Sequence, residues 1–380
     1  MTIASSPRIG VVGVSIDDPC GVRDHATLLA AELTSEGFVC SLHWLARTET
    51  SLGAETAEVT RWARSLAGEL ERERPDAVLL HYSVFALSHR GVPVYVRPVV
   101  HALRRLRVPL VSFMHEFAYP WSLGAMRAKV WAATQRVALI DVMRASAGIV
   151  VSADDRADWL RTRPWLPRRA ISVAPVFSNL PPASRPAAGG DAERIGLFGY
   201  AHEGVAVDTV VEALRALREA DRALELVLLG APGRDSPAAA RWLQVAARNG
   251  VADALSFSGR LPAQQLSDEL AGCAVLLFAE RGGPTARKTT LAASLSSGQP
   301  VVVLDGPNSW AQLRQAQATV VAQPAARPLA DAVARLLDDA GERERRGQLG
   351  RAFAQSTMSV GQSAKVVGAA LTRAIAQTPR

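Results

Sequence analysis

A chain of 380 residues is too long for one ordinary core and predicts two domains, while 48% hydrophobic against 21% charged residues excludes a disordered chain. The net charge of +7 permits acidic partners such as nucleotides or an anionic lipid surface; no basic run is interleaved with aromatics as in a nucleic-acid module, so nucleic acid is not expected as a partner. Cys20, Cys40 and Cys273 are too few and too far apart for a disulfide framework or a zinc site, no apolar run reaches the roughly 18 residues of a spanning helix, and MTIASSPRIGVVGV lacks a signal-peptide cleavage site, all of which point to the cytoplasm.

Arg8 to Val14 is a continuous apolar run, the mark of a strand buried on both faces of a parallel sheet. The loop SIDDPCGVRD, a helix from about His25 to Glu36 and a strand at Phe38 to Leu45 complete a β-α-β unit. Gly10 and Gly13 do not form the spaced fingerprint of a dinucleotide site. Asp17, Asp18, Asp24 and His25 cluster after the first strand, where open α/β sheets bind ligands, and read either as contacts to a polyhydroxylated acceptor or as loop and cap residues. Alternation continues through strands at Asp76 to His81, Pro109 to Met114, Gly148 to Ser152 and Ala170 to Ala174, with helices between them. Their C-terminal edges carry Ser15, His81, His115 with Glu116, and Ser152. His43, His89 and His101 read as ordinary strand, loop and helix positions. Asp158 to Arg169 mixes Trp159 and Trp165 with four arginines, which leaves open a peripheral membrane contact beside the plainer reading of an arginine-rich connection.

Pro181 to Glu193 breaks the pattern with proline, glycine and small residues and reads as a linker. Residues 1–180 then form one Rossmann-like domain and 194–360 a second, with a terminal helix over 361–380 that can pack back toward the first. The fold class is therefore α/β, two doubly wound domains facing across a cleft, an arrangement suited to joining two substrates. In the second domain, strands at Arg194 to Phe198, Leu224 to Leu229, Leu255 to Phe257 and Ala274 to Ala279 lead to RGGPTARKTTLAASLSSGQPVVVL at 281–304. Gly282, Gly283 and Pro284 break the chain, Thr289 and Thr290 are placed to cap a helix running to about Ser297, and Val301 to Leu304 is a buried strand. Arg287 and Lys288 beside a helix N-terminus would add full charge to an anion site already present in the backbone, although adjacent basic residues there can also be a solvated face.

GGPTARKTTLAASLSSGQPVVV, supported by PCGVRDHATLLAAEL, HYSVFALSHRGVP, VSFMHEF, RIGLFGYAHEG and LSFSGRLPAQQL, resembles the retaining enzymes of glycosyltransferase family 4, of the GT-B fold. The resemblance covers nearly the whole chain. It implies a nucleotide-diphosphate sugar on the second domain, an unidentified acceptor on the first, and transfer to a hydroxyl with retention. Arg287 and Lys288 would hold the diphosphate with N–H groups around Thr289, in a donor site that includes Gly283, Thr285 and Thr290, with Arg260 on the wall for base and phosphate. Gly21 would let the first loop approach the sugar, His115 would lie near the transferred sugar, and Asp24, His25 and Glu116 would face the acceptor. The two basic residues would replace a metal, so no metal and no cofactor are expected. Two glutamates common in the family are missing, with Thr285 and Ala293 in their places, and the loop Gly199 to Gly204 offers only His202 and Glu203 where a basic residue is frequent. These departures keep two other functions open: a non-catalytic GT-B subunit that binds a partner transferase or glycan, and a nucleotide-sugar epimerase or hydrolase. Donor sugar, acceptor and oligomeric state are not legible.

Overall fold

The structure, a computed structural model, describes residues 6–16, 20–118, 120–121, 126–184 and 191–378. Asp17, Asp18 and residues 185–190 of the stretch read as a linker lie outside them. The chain divides into two compact units, Met1–Pro175 with Val360–Arg380, and Val176–Ser359.

In the first unit the elements run β1 (Arg8–Ser15), α1 (Gly21–Ser35), β2 (Val39–Ala46), α2 (Leu52–Glu73), β3 (Ala77–Ser83), α3 (Val96–Arg105), β4 (Leu110–Glu116), α4 (Met126–Ala145), β5 (Gly148–Val151), α5 (Asp154–Arg161) and β6 (Ala170–Val173). Every strand pair is parallel, in the order β2-β1-β3-β4-β5-β6. The apolar runs are continuous because both faces are covered: β3 is buried at every position. Val12, Val14, Val78 and Leu80 enter a core with α2, α3 and α4 residues on one face, and alternation sends Val11, Gly13, Leu79 and His81 to the other. Gly10 and Gly13 are packing glycines, since a Cβ would stand 2.6 Å from Leu70 Cδ2 at the first and 2.1 Å from the Trp44 ring at the second.

The second unit repeats the plan with β7 (Asp191–Phe198), α6 (Val207–Glu219), β8 (Glu225–Leu229), α7 (Pro237–Arg248), β9 (Leu255–Gly259), α8 (Ala263–Gly272), β10 (Cys273–Phe278), α9 (Thr289–Ser296), β11 (Val301–Leu304), α10 (Ala311–Gln315), β12 (Val320–Ala322), α11 (Ala326–Asp338) and α12 (Ala340–Thr357). Its sheet is again parallel, ordered β12-β11-β10-β7-β8-β9. The last helix, α13 (Val360–Gln377), returns to the first unit. There Ser363 Oγ donates to the Pro175 carbonyl at 2.9 Å and Arg373 Nη2 to Ser172 Oγ at 3.0 Å. Two doubly wound units in one chain make the GT-B architecture. Among the described residues no helix is long and apolar enough to cross a membrane.

Candidate functional site

Strand order fixes where ligands can reach such sheets. In the second unit β8 and β9 extend from β7 on one side and β10 lies on its other side, so the order reverses between β7 and β10. A crevice opens beyond the C-terminal ends of strands at such a switch point. The two chain segments leaving those ends are laced together: Val205 bridges Glu280, the Arg281 N–H donates to the Gly204 carbonyl at 2.9 Å, and the Ala206 N–H to the Ala279 carbonyl at 2.8 Å. Gly199, at φ +84°, brings the loop so close to α9 that a Cβ would stand 2.8 Å from Thr290 Cγ2.

The helix α9 starts at this crevice without the threonine cap that the sequence predicts. Its N-cap is Lys288, in an extended conformation, and no side chain caps it. Thr289 and Thr290 are already helical, so their hydroxyls are past the cap position and the N-terminal partial charge is left for another partner. Lys288 Nζ lies 2.7 Å from Glu280 Oε1 and 3.5 Å from His202 Nε2, in a half-buried group whose lysine and glutamate are 18% and 13% exposed. Arg287 is exposed, and among the described residues no hydrogen bond or ion pair holds it. Gly283, at φ +81°, belongs to a crossing of two loops: a Cβ there would stand 2.3 Å from Ser309 Oγ and 3.0 Å from the Gly306 nitrogen. The Thr285 hydroxyl is buried with no hydrogen-bond partner, Ala293 lies in the hydrophobic core, and Arg260 is exposed beyond β9 at the sheet edge. Lys288, His202 and Glu280 are thus brought together beside Thr290, whereas among the described residues no side-chain hydrogen bond or ion pair joins Arg260 or Arg287 to them.

In the first unit the order reverses between β1 and β3. His81 lies near the C-terminal end of β3, on the face where Gly13 makes room for Trp44, whose Nε1 donates to Ser15 Oγ at 3.1 Å. His115 stands on the neighbouring β4, with its Nε2 3.0 Å from His81 Nδ1. From α1 comes His25, 2% exposed, its ring meeting His81, Phe113 and His115 edge-on at centroid distances of 5.7, 5.0 and 5.1 Å. Burial pushes the His25 pKa down to about 3 and holds His81 and His115 well below the usual imidazole range, and the closeness of the rings makes a proton on one disfavour a proton on the next. All three rings are therefore neutral imidazoles at neutral pH, the form that ligates metals. One ligand nitrogen from each lies within 4.8 Å of the others, so the group can hold a metal ion. This corrects the expectation that the chain has no metal site: three histidines far apart in sequence converge at one switch point, which no spacing rule could show.

The remaining acceptor-side residues are more scattered. Gly21 is the first residue of α1 rather than part of a loop, and a Cβ on it would meet nothing within 4 Å. Asp24 is exposed on the first turn of the same helix, and Glu116 accepts a long bond of 3.4 Å from Ser83 Oγ. His43, on β2, lies 3.2 Å from Glu69 and 3.1 Å from Glu73, and His89, in the loop after β3, lies 2.6 Å from Glu55. In the tryptophan segment Trp165 is 41% exposed, while Trp159 is packed against the core, under the guanidinium of Arg163.

Comparison with known proteins gives the architecture its place. A sucrose-phosphate synthase from Thermosynechococcus elongatus aligns over 97% of this chain and 100% of its own, with a TM-score of 0.69 and 13% identity. A glycosyltransferase from Rickettsia africae aligns over 99% and 100%, at TM-score 0.73 and 12% identity. The fold is that of the GT-B glycosyltransferases. A UDP-GlcNAc 2-epimerase from Neisseria meningitidis, in a structure bound to UDP-GlcNAc, aligns over 96% and 100%, at TM-score 0.60 and 12% identity. A model of the group 1 glycosyl transferases matches residues 192–339, inside the second unit of this GT-B chain. No curated protein matches the sequence. Glu280 is the residue of the GT-B switch point that sequence reading missed, and its signal was its place one residue past the apolar run ending at Ala279.

Proposed function

We propose that the chain is a glycosyltransferase that moves a sugar from a nucleotide-diphosphate sugar to an acceptor hydroxyl, with retention of configuration. The observation that carries this reading is the uncapped N-terminus of α9 at the switch point of the second unit, with Lys288 as its N-cap and Arg287 beside it. Free N–H groups, the helix dipole and two cations make an anion cradle of the size of a diphosphate. In transfer the bond from the sugar to the diphosphate breaks and negative charge grows on the leaving phosphate. Groups already aimed at that charge lower the barrier most. Glu280 holds the Lys288 ammonium before the donor arrives, and phosphate oxygens compete with it for that charge. The acceptor hydroxyl then attacks from the side of the departing diphosphate, a route that requires no protein nucleophile and so tolerates the missing glutamates. On the first unit His115 is the candidate group near the transferred sugar.

Titration calorimetry with UDP, GDP and ADP is the direct test. One of them is expected to bind and to lose affinity in Lys288→Ala; a protein that binds none leaves the transferase reading without its donor. The fold shared with a UDP-GlcNAc 2-epimerase supports a second reading, in which the donor is turned over without any acceptor. Product analysis with donor alone separates the two.

A further inference from the structure

The imidazoles of His25, His81 and His115 form an unusual packing unit for a protein interior. Three polar rings from α1, β3 and β4 share one apolar pocket with Phe113, whose ring stacks on His81 at 5.6 Å and on His115 at 4.8 Å. His81 is 2% exposed and its Nε2 has no hydrogen-bond partner, although Nδ1 is satisfied by His115. Native proteins rarely leave a buried nitrogen in that state, because its desolvation is then uncompensated. Among the described residues no carboxylate, the usual neutralising partner of a buried histidine, joins the three rings. Phe113 next to two of the rings argues against a relay of ordered waters as the missing partner.

We propose that His25, His81 and His115 bind a divalent late transition cation of the zinc class. Imidazole nitrogens in a tetrahedral zinc shell stand about 3.3 Å apart. One nitrogen from each ring lies within 4.8 Å of the others, and the 3.0 Å contact of His81 Nδ1 with His115 Nε2 is the only bond that holds the His81 ring among the described residues, so side-chain rotation can present either His81 nitrogen, the unpartnered Nε2 included, to an ion. A ligand set of imidazoles without oxygen selects zinc, cobalt, nickel or copper ions and rejects magnesium, manganese and calcium, which prefer carboxylate and water. Three protein ligands leave a tetrahedral ion one further position. Because His25 lies on the second turn of α1, the ion would tie the helix start, with Gly21 and Asp24, to the ends of β3 and β4. The site lies wholly in the first unit; it takes as a ligand His115, the group that the transferase reading puts near the sugar, but it rests on the geometry of the three rings and not on that reading.

The test uses full-length protein without a histidine tag, stripped with chelator and then titrated with Co²⁺, Zn²⁺ or Mg²⁺. Stoichiometric Co²⁺ uptake is expected, with the visible absorption of a tetrahedral nitrogen-ligated ion, displacement by Zn²⁺, no uptake of Mg²⁺ and a rise in melting temperature. His25→Gln and His81→Gln should each weaken Co²⁺ binding by roughly tenfold or more, a loss at least as large as that for removing groups that only support a ligand, and His101→Gln should not. Parent protein that takes up no stoichiometric Co²⁺, or that binds it without the tetrahedral spectrum, overturns the proposal whether or not the variants fold. Equal uptake by folded parent and variants overturns it as well.

Discussion

Glu55 shows how much one buried carboxylate can organise. Arg47 Nη2 lies 2.6 Å from its Oε1, His89 Nδ1 lies 2.6 Å from its Oε2, and the Tyr95 hydroxyl donates to the same oxygen. Arg47 also donates to the carbonyls of Ala86 and Ser88 at 2.9 and 3.0 Å, so the loop between β3 and α3 is pinned to α2 through charge. Burial works to raise the Glu55 pKa, but hydrogen bonds from Tyr95 and His89 and the charge of Arg47 outweigh it and hold the carboxyl below its ordinary value. The hydroxyl of Tyr95 is pushed up to about 12, by burial first and then by Glu55. A carboxyl depressed in the folded state contributes stability that is present above its unfolded value near 4.5 and lost as the pH falls through the folded value. Urea unfolding should therefore show the parent losing stability below about pH 4.5, with a shallower loss in Glu55→Gln. At pH 7 that variant should be less stable by roughly 3 to 5 kcal/mol, because Arg47 stays buried without its partner. At the donor site the same reasoning separates two neighbours. Lys288 is held in place by Glu280 and Arg287 is not, so Lys288→Ala should weaken nucleoside diphosphate binding by about 10- to 150-fold, the worth of one charge-assisted contact. Arg287→Ala should cost less, since a mobile side chain must first be ordered; calorimetry on both variants reads the difference.

Among the elements, glycine marks both what was legible and what was not. The order of turn, helix and strand in 281–304 was readable because Gly283 and Gly298 stop the chain where φ turns positive, at +81° for both. Gly283→Ala adds a Cβ in that conformation and 2.3 Å from Ser309 Oγ, so a loss of about 1 to 3 kcal/mol in urea unfolding is expected. Gly21→Ala is the contrast: its Cβ meets nothing, stability should stay within about 0.5 kcal/mol, and a fall in turnover without a fall in stability would place a ligand against that residue. The helix α12 was not legible at all. Its sequence, AGERERRGQLGRAFAQST, carries three glycines and no apolar stripe, which in isolation argues against a helix. The structure supplies the reason, since a Cβ on Gly347 would stand 2.0 Å from the Gly298 carbonyl oxygen, so this helix is held by close backbone approach together with the buried Phe353 rather than by an apolar stripe. The strands were legible because parallel sheets need unbroken apolar runs. The meeting of His25, His81 and His115, like that of Lys288 with Glu280 and His202, depends on strand order and loop approach, which carry no local signature.

At the scale of the whole chain, sequence order and structural unit part company. Residues 176–359 form one unit, and the chain then returns to finish the other with α13. That helix buries Ala364, Val367, Leu371 and Ala374, each at 5% exposure or less, and Gly368 allows it to approach Phe38, which a Cβ would meet at 3.1 Å. The strands of the first unit are translated early, but its core is complete only when α13 has been made. A defect in α13 should therefore be felt in residues translated long before it. Leu371→Ala removes a fully buried side chain, and the lost transfer energy plus the residual cavity should cost about 2 to 5 kcal/mol. In a two-unit chain a single melting temperature would blur that loss, so it is better read locally. Hydrogen exchange should speed up in α1, β3, β4 and β5, which α13 touches, and remain as in the parent in β7, β8 and β10. The reverse experiment uses the donor site: a saturating nucleoside diphosphate should slow exchange in α9 and in the loop after β7, because binding stabilises only the structure it requires. If Leu371→Ala instead loosened both units equally, the C-terminal helix would be supporting the entire chain rather than the core it closes.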